Sequence, residues 1–397
     1  MKKFFGLFMA VTALVSLTTV AASFDVSEYL DSALSILPNQ LSLSVFEEIG
    51  HTNNAYKSSG DRRSAFYFKT GVAPSILREN GNLTYGLKGR FSYDYYTRFG
   101  GDLNQFNWSL TPTISYKDDG EGLVRDVTLG VKSVARVDAL NNADRRYARS
   151  YTTTVGAGAD LAFTEKLGAL VNGKYVYDYY SQEEFNGFTK KVYSADLTPY
   201  FQVTEKTRAG VRFGYEATKY VHSDVYDDYN RYVVNGLVDF HDDKFGATME
   251  AGVEHMNFDG VTGHVADSDG KWTFNGSLKL KYKPVDNFET SLALSTSHDN
   301  SSVNERTDSI RNKIALGAKW QATSHIVLLA RGGISDNDEK FDKDDSREFF
   351  GALEADYVFN SGISVYLGYK YRNIQFRYDS DLDYSVTEYF MGCRYTF

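Results

Sequence analysis

Along most of this chain apolar and polar residues alternate one by one, in stretches of roughly 11 to 16 residues. Near the C-terminus Tyr389, Met391, Cys393, Tyr395 and Phe397 take one parity. Glu388, Phe390, Gly392, Arg394 and Thr396 take the other. Further back, Ile363, Val365, Leu367, Tyr369 and Tyr371 alternate with Ser364, Tyr366, Gly368, Lys370 and Arg372. Ala209, Val211, Phe213 and Tyr215 alternate in the same way with Arg208, Gly210, Arg212 and Gly214. Successive side chains of a strand point to opposite faces, so this period builds strands with one apolar and one polar face.

Two architectures use such strands. A soluble sandwich hides the apolar face, whereas a membrane barrel turns it outward and keeps the polar face inside. Length decides between them. Soluble strands run about five or six residues, but a tilted strand that crosses a bilayer and projects beyond it needs ten or more. The polar parity also carries Gly, Lys, Arg, Glu and Asp in close succession, as a wet lumen requires. The expectation is therefore all-β: a transmembrane antiparallel β-barrel. Eighteen segments can be counted, from 41–52 to 384–397, with sixteen as the alternative. Tight turns such as Thr164-Glu165-Lys166 and Asn360-Ser361-Gly362 alternate with loops of about ten residues, such as 138–148 and 258–270. In this architecture short turns face the periplasm and longer loops face outward. Pro74, Pro112 and Pro199 fall inside strand patterns, each on the apolar parity, and each predicts a bulge or local break.

The first residues read differently. Met1-Lys2-Lys3 is basic, Phe4 to Val15 is apolar, and Val20-Ala21-Ala22 offers small residues at an exit, so 1–22 reads as a signal peptide cleaved after Ala22. Val26, Tyr29, Leu30, Ala33, Leu34 and Leu37 then follow spacings of three and four before Pro38. Residues 23–39 are thus expected to form an amphipathic helix and linker, in the lumen or at its periplasmic mouth. The barrel occupies 40–397.

Composition narrows the function. A mean hydropathy of −0.40 excludes a polytopic helical membrane protein. One Cys excludes a disulfide framework or a multi-Cys metal site. The formal charge is −9 and becomes −11 once Lys2 and Lys3 leave with the signal, which argues against a nucleic-acid partner. The seven His show no catalytic spacing. The reading is no enzyme, no catalytic residue, no metal and no cofactor.

The lumen charges carry more. By parity a basic stripe comprises Lys279, Lys281, Arg311, Lys313, Lys319, Arg331, Lys370, Arg372 and Arg394. Acidic lumen residues include Glu250, Glu254, Glu354, Asp356 and Glu388. Either these charges pair and stabilise the wall, or the stripe lowers the barrier for an anionic solute. Glu354 and Asp356, within the stripe, are expected to cancel part of it by pairing. Glu47 is the one charge in the middle of the apolar parity. Asp336-Asn337-Asp338-Glu339 and Asp342-Lys343-Asp344-Asp345 read as one acidic outer loop. It is either plainly solvated or bridged by divalent cations to lipopolysaccharide.

Two resemblances follow from particular residues. The terminal run from Tyr389 to Phe397, with Tyr389, Tyr395 and Phe397 on one parity, looks like the outer-membrane insertion signal. That implies the barrel-assembly machinery as a partner. Glu48-Ile49-Gly50-His51-Thr52-Asn53-Asn54-Ala55-Tyr56, followed by Gly71-Val72-Ala73-Pro74-Ser75-Ile76, is similar to outer-membrane β-barrel porins, including those linked to exopolysaccharide export. The resemblance implies the bacterial outer membrane, surrounding lipid and lipopolysaccharide, and passage of a small polar solute or polysaccharide. The rival is a non-conducting structural or adhesion barrel. No loop is long enough to fold into the lumen, so a constriction is expected from wall side chains or the N-terminal helix.

Overall fold

A computed structural model describes residues 40–57, 63–98, 103–118, 122–139, 147–221, 228–259, 272–299, 309–339, 345–378 and 380–397. The expected signal peptide, the helix within 23–39 and the stretch from Asp342 to Asp344 lie outside the described residues.

Strand formation follows the period-two pattern closely. The first six strands are β1 (Gln40–Thr52), β2 (Ala65–Asn80), β3 (Leu83–Tyr96), β4 (Gln105–Lys117), β5 (Val124–Ala139) and β6 (Tyr147–Ala162). Next come β7 (Leu167–Tyr180), β8 (Lys190–Thr204), β9 (Thr207–Tyr220), β10 (Tyr229–His241), β11 (Phe245–Phe258) and β12 (Trp272–Val285). The last are β13 (Phe288–Asp299), β14 (Ser309–Gln321), β15 (Ile326–Glu339), β16 (Ser346–Val358), β17 (Ile363–Phe376) and β18 (Tyr384–Thr396). Each pairs antiparallel with its neighbours in sequence, and β1 pairs with β18. The sheet therefore closes as an eighteen-stranded barrel without a free edge, as a solvent that offers no hydrogen bonds requires. The alternative count of sixteen is set aside.

Parity sorts the two faces. Leu316, Leu367 and Met391 stand exposed on the outer wall, whereas Tyr366 and Phe390 are buried on the inner one. Val211, Phe213, Leu278, Leu280, Leu328 and Val365 share the outer face by register.

The three prolines act alike. Pairing of β2 with β3 skips from Val72–Phe91 to Ser75–Lys88 around Pro74. Pairing of β4 with β5 skips from Leu110–Ser133 to Thr113–Gly130 around Pro112. Pairing of β8 with β9 skips from Leu197–Phe213 to Tyr200–Gly210 around Pro199. The register is the same on both sides of each gap, so these are breaks and not bulges. A proline has no N–H to give the ladder, and the chain resumes in step.

The acidic loop needs correction. β15 runs on to Glu339, so Asp336, Asn337, Asp338 and Glu339 belong to a strand that stays paired with β14. Asp336 accepts a hydrogen bond from Arg347 Nε at 3.0 Å, and Asp345 holds Arg377 at 3.1 Å. At the opposite rim, Lys206 donates to Asp242 at 2.7 Å between two tight turns. That contact holds the Asp242 carboxyl below its usual range.

Candidate functional site

The basic residues of the stripe meet because strand register lines them up. Arg331 on β15 lies opposite Gly317 and Ala352, Ala352 lies opposite Lys370, and Lys370 lies opposite Glu388. Neighbouring strands are about 4.8 Å apart, so Arg331 and Lys370 stand about 10 Å apart in one row. Lys313 shares a row with Ser335 and Glu348, and Lys319 shares one with Glu289, Leu329 and Glu354. Arg311 lies nearest the outer loops and Lys319 nearest a tight turn, so the cations descend along the wall. A recess of about 670 Å³ opens on them, lined by six basic side chains and two acidic ones. The basic ones are Lys57, Arg311, Lys313, Arg331, Lys370 and Arg372; the acidic ones are Glu348 and Glu388. A second recess of about 300 Å³ continues past Lys319, Glu289, Glu354 and Phe390.

Only part of the stripe has a carboxylate within ion-pair distance. Arg372 pairs with Glu348 at 2.6 Å, Lys281 with Glu289 at 3.1 Å, and Lys370 with Glu388 at 3.8 Å. Lys279, Lys313, Lys319, Arg331 and Arg394 have no ion pair within 4.0 Å among the described residues. Glu354 and Asp356 do not pair with the stripe as expected. Their cross-strand partners are Leu329 and Gly368 for Glu354, and Val327 and Tyr366 for Asp356, so no cation stands directly opposite. The work falls to Glu348, which shares the parity of Glu354 but was not singled out. Lys57 was also missed. It follows β1 in the connection to β2 and lines the larger recess, so a loop residue shapes the lumen as well as wall side chains.

The wall from β8 to β12 is different. Arg212 bridges Asp196 at 2.8 Å and Glu250 at 3.1 Å. Arg208 bridges Asp239 at 2.9 Å and Asp160 at 3.6 Å. Arg231 Nε donates to the fully buried Glu254 at 2.8 Å, and Asn275 adds a second donor at 2.6 Å. Glu250 and Glu254 thus serve a paired network away from the stripe.

A third arrangement marks the closure at β17, β18, β1 and β2. Four lumen-facing rings lie directly opposite glycines: Phe46 opposite Gly71, Tyr67 opposite Gly50, Tyr366 opposite Gly392 and Phe390 opposite Gly368. A Cβ at any of these glycines would overlap the ring. Tyr67 and Tyr366 both donate to Glu48, at 3.3 and 3.2 Å. Lys69 stands 3.6 Å from Glu48 and 3.7 Å from Asp94. On the outer face Glu47 is exposed between Thr70 and Cys393. Of the terminal aromatics, Tyr389 is exposed outward, Tyr395 packs on Phe397 at 4.3 Å, and the Phe397 N–H donates to the Leu43 carbonyl at 3.0 Å.

Residues 241–397 match the family described as outer membrane protein beta-barrel domain. Among solved structures, OccK5 (OpdH) of Pseudomonas aeruginosa is 13% identical with a TM-score of 0.47, covering 91% of this chain and 98% of that one. The outer membrane protein opdK of the same organism is 10% identical with a TM-score of 0.48, covering 91% and 100%. The FrpB iron transporter of Neisseria meningitidis is 9% identical with a TM-score of 0.46, covering 92% and 82%. No curated protein matches the sequence. The family match spans β11 to β18, the last eight strands of the closed eighteen-stranded barrel, and it indicates the bacterial outer membrane.

Proposed function

We propose that the barrel passes small polar solutes with a preference for anions. Sixteen- to eighteen-stranded barrels are wide enough to leave an aqueous channel. One observation carries the preference: the larger recess sets six basic side chains against two acidic ones, and Lys313 and Arg331 there have no ion pair among the described residues. Such a surface raises the local concentration of anions and lowers their entry barrier. The rival non-conducting barrel needs lumen charges that cancel one another. The wall from β8 to β12 meets that need, but the wall from β14 to β17 does not. Acidic sugars are the finer solute class that such a basic stripe suits, and a polysaccharide is what the porin resemblance implies. The same reading takes lipopolysaccharide as the surrounding outer lipid. It takes the terminal Tyr389, Tyr395 and Phe397 as the element read by the assembly machinery.

The test is the reversal potential across a salt gradient in planar bilayers, for the native chain and an Arg331→Glu, Lys370→Glu double variant. Anion preference is expected in the first and its loss in the second, with both effects weakened by added salt. Cation preference or absence of conductance in the native chain would put the structural barrel ahead.

A further inference from the structure

At the barrel closure each lumen ring carries a cation on its inner face. Lys370 Nζ stands 4.3 Å from the Phe390 ring centre, and Arg394 Cζ stands 5.5 Å from that of Tyr366. Arg90 Cζ is 4.2 Å above Phe46, and Lys69 Nζ is 5.6 Å above Tyr67. The order from wall to lumen repeats four times: bare glycine backbone, flat ring, cation. Glycine is required at the base, because a Cβ there would occupy the space of the ring. With one ring face pressed on the wall, only the other remains for the cation.

We infer that these stacks are a selectivity element, in which Phe390 and Tyr366 are positioning residues that keep Lys370 and Arg394 available to anions. This rests on the passage reading above. Lys370 shows why a ring matters. Its ammonium lies between two attractions, the Phe390 face at 4.3 Å and the Glu388 carboxylate at 3.8 Å, the latter near the limit of an ion pair. The ring face attracts the cation without neutralising it. Without the ring, Lys370 closes on Glu388 and its charge is lost to the lumen. Arg394 has no carboxylate within 4.0 Å among the described residues. The Tyr366 ring holds its place, while the Tyr366 hydroxyl is turned away to Glu48. Ring and hydroxyl therefore have separable roles.

The experiment uses the full chain in planar bilayers under a potassium chloride gradient, with heat-modifiable migration as the check of folding. Phe390→Leu and Tyr366→Leu change no charge, yet each is expected to lower the anion-to-cation permeability ratio by about twofold or more, as loss of a cation–π contact predicts. Tyr366→Phe and Phe390→Tyr keep the ring and are expected to keep the ratio. The two Leu variants test separate stacks, so a folding defect in one leaves the other decisive. A native chain with anion preference and a folded Leu variant of unchanged ratio would overturn this inference alone. A native chain without conductance would overturn the passage reading and this inference together.

Discussion

The phenol ring of Tyr67 lies across the backbone of Gly50, its direct partner on the neighbouring strand, and its hydroxyl reaches Glu48 on the same strand as Gly50. The ring fits only because Gly50 has no side chain. Gly50→Ala places a methyl group inside the ring, and the strand pair or the ring must move. Overpacking of this kind costs about 1–3 kcal/mol. A lower urea midpoint for the folded protein in lipid vesicles is the expected result. An unchanged midpoint would show that the ring swings freely into the lumen.

Leu280 faces lipid from β12, between the bulky outward neighbours Leu278 and Tyr282. Leu280→Arg should cost about 2–4 kcal/mol if the position lies near the midplane. Lys279→Leu, one residue away on the lumen parity, should cost far less. Equal costs for the two would reverse the assignment of faces.

Glu47 is a carboxylate on the lipid face, flanked by Thr70 and Cys393 with no cation opposite. Acidic residues on this face cost less than basic ones but still destabilise. Glu47→Leu is expected to raise folding stability in vesicles by about 1 kcal/mol. A loss of stability instead would mean that the carboxylate makes a contact worth keeping.

Arg212 is bound by Asp196 on one side and Glu250 on the other. Replacing it with Met leaves two part-buried carboxylates without their partner, at a cost of about 1–3 kcal/mol. Its charge is already cancelled in the native chain, so the sign of ion preference should hold. Reversal potential and unfolding midpoint measured on one preparation separate these effects. The Arg331→Glu, Lys370→Glu variant should show the opposite balance.

Phe397 closes its N–H onto Leu43 and stacks edge-on against Tyr395. Removing it deletes one ring and one hydrogen bond from a barrel of eighteen strands. If it belongs to the insertion signal, the deletion should lower folded protein in the outer membrane far more than it lowers stability of protein refolded in vitro. Equal effects in the two settings would reduce Phe397 to a packing residue.

Faces were legible from sequence because a strand turns each residue by half a circle, and Lys370 and Leu367 need no partner to reveal their sides. Strand ends were legible too, since the expected 41–52 and 384–397 differ by only one residue each from β1 (Gln40–Thr52) and β18 (Tyr384–Thr396). Pairing was not. Whether Glu348 or Glu354 neutralises a cation depends on which residue stands opposite on the next strand, and alternation within one strand does not carry that register. Tyr366 and Glu48 are 318 residues apart in sequence, and only closure of the sheet brings them together. Lys57 belongs to a loop, where period two is silent.

Seventeen of the barrel's strand contacts join neighbours in the chain, but the contact of β1 with β18 joins its two ends. Ser44 and Thr396 share a hydrogen bond of 2.8 Å across 352 residues. Bringing ends so far apart together costs about 3 kcal/mol more than closing a hairpin of ten to twenty residues. The last strand is also the last to be synthesised. Until it arrives, β1 offers an unpaired edge, Tyr366 has neither Gly392 nor Arg394 to complete its stack, Gly368 and Lys370 have no Phe390 ring between them, and the cylinder is an open ribbon. A chain without its last strand therefore leaves β1 and β17 as two open edges, whose unpaired N–H and C=O groups a bilayer core cannot satisfy.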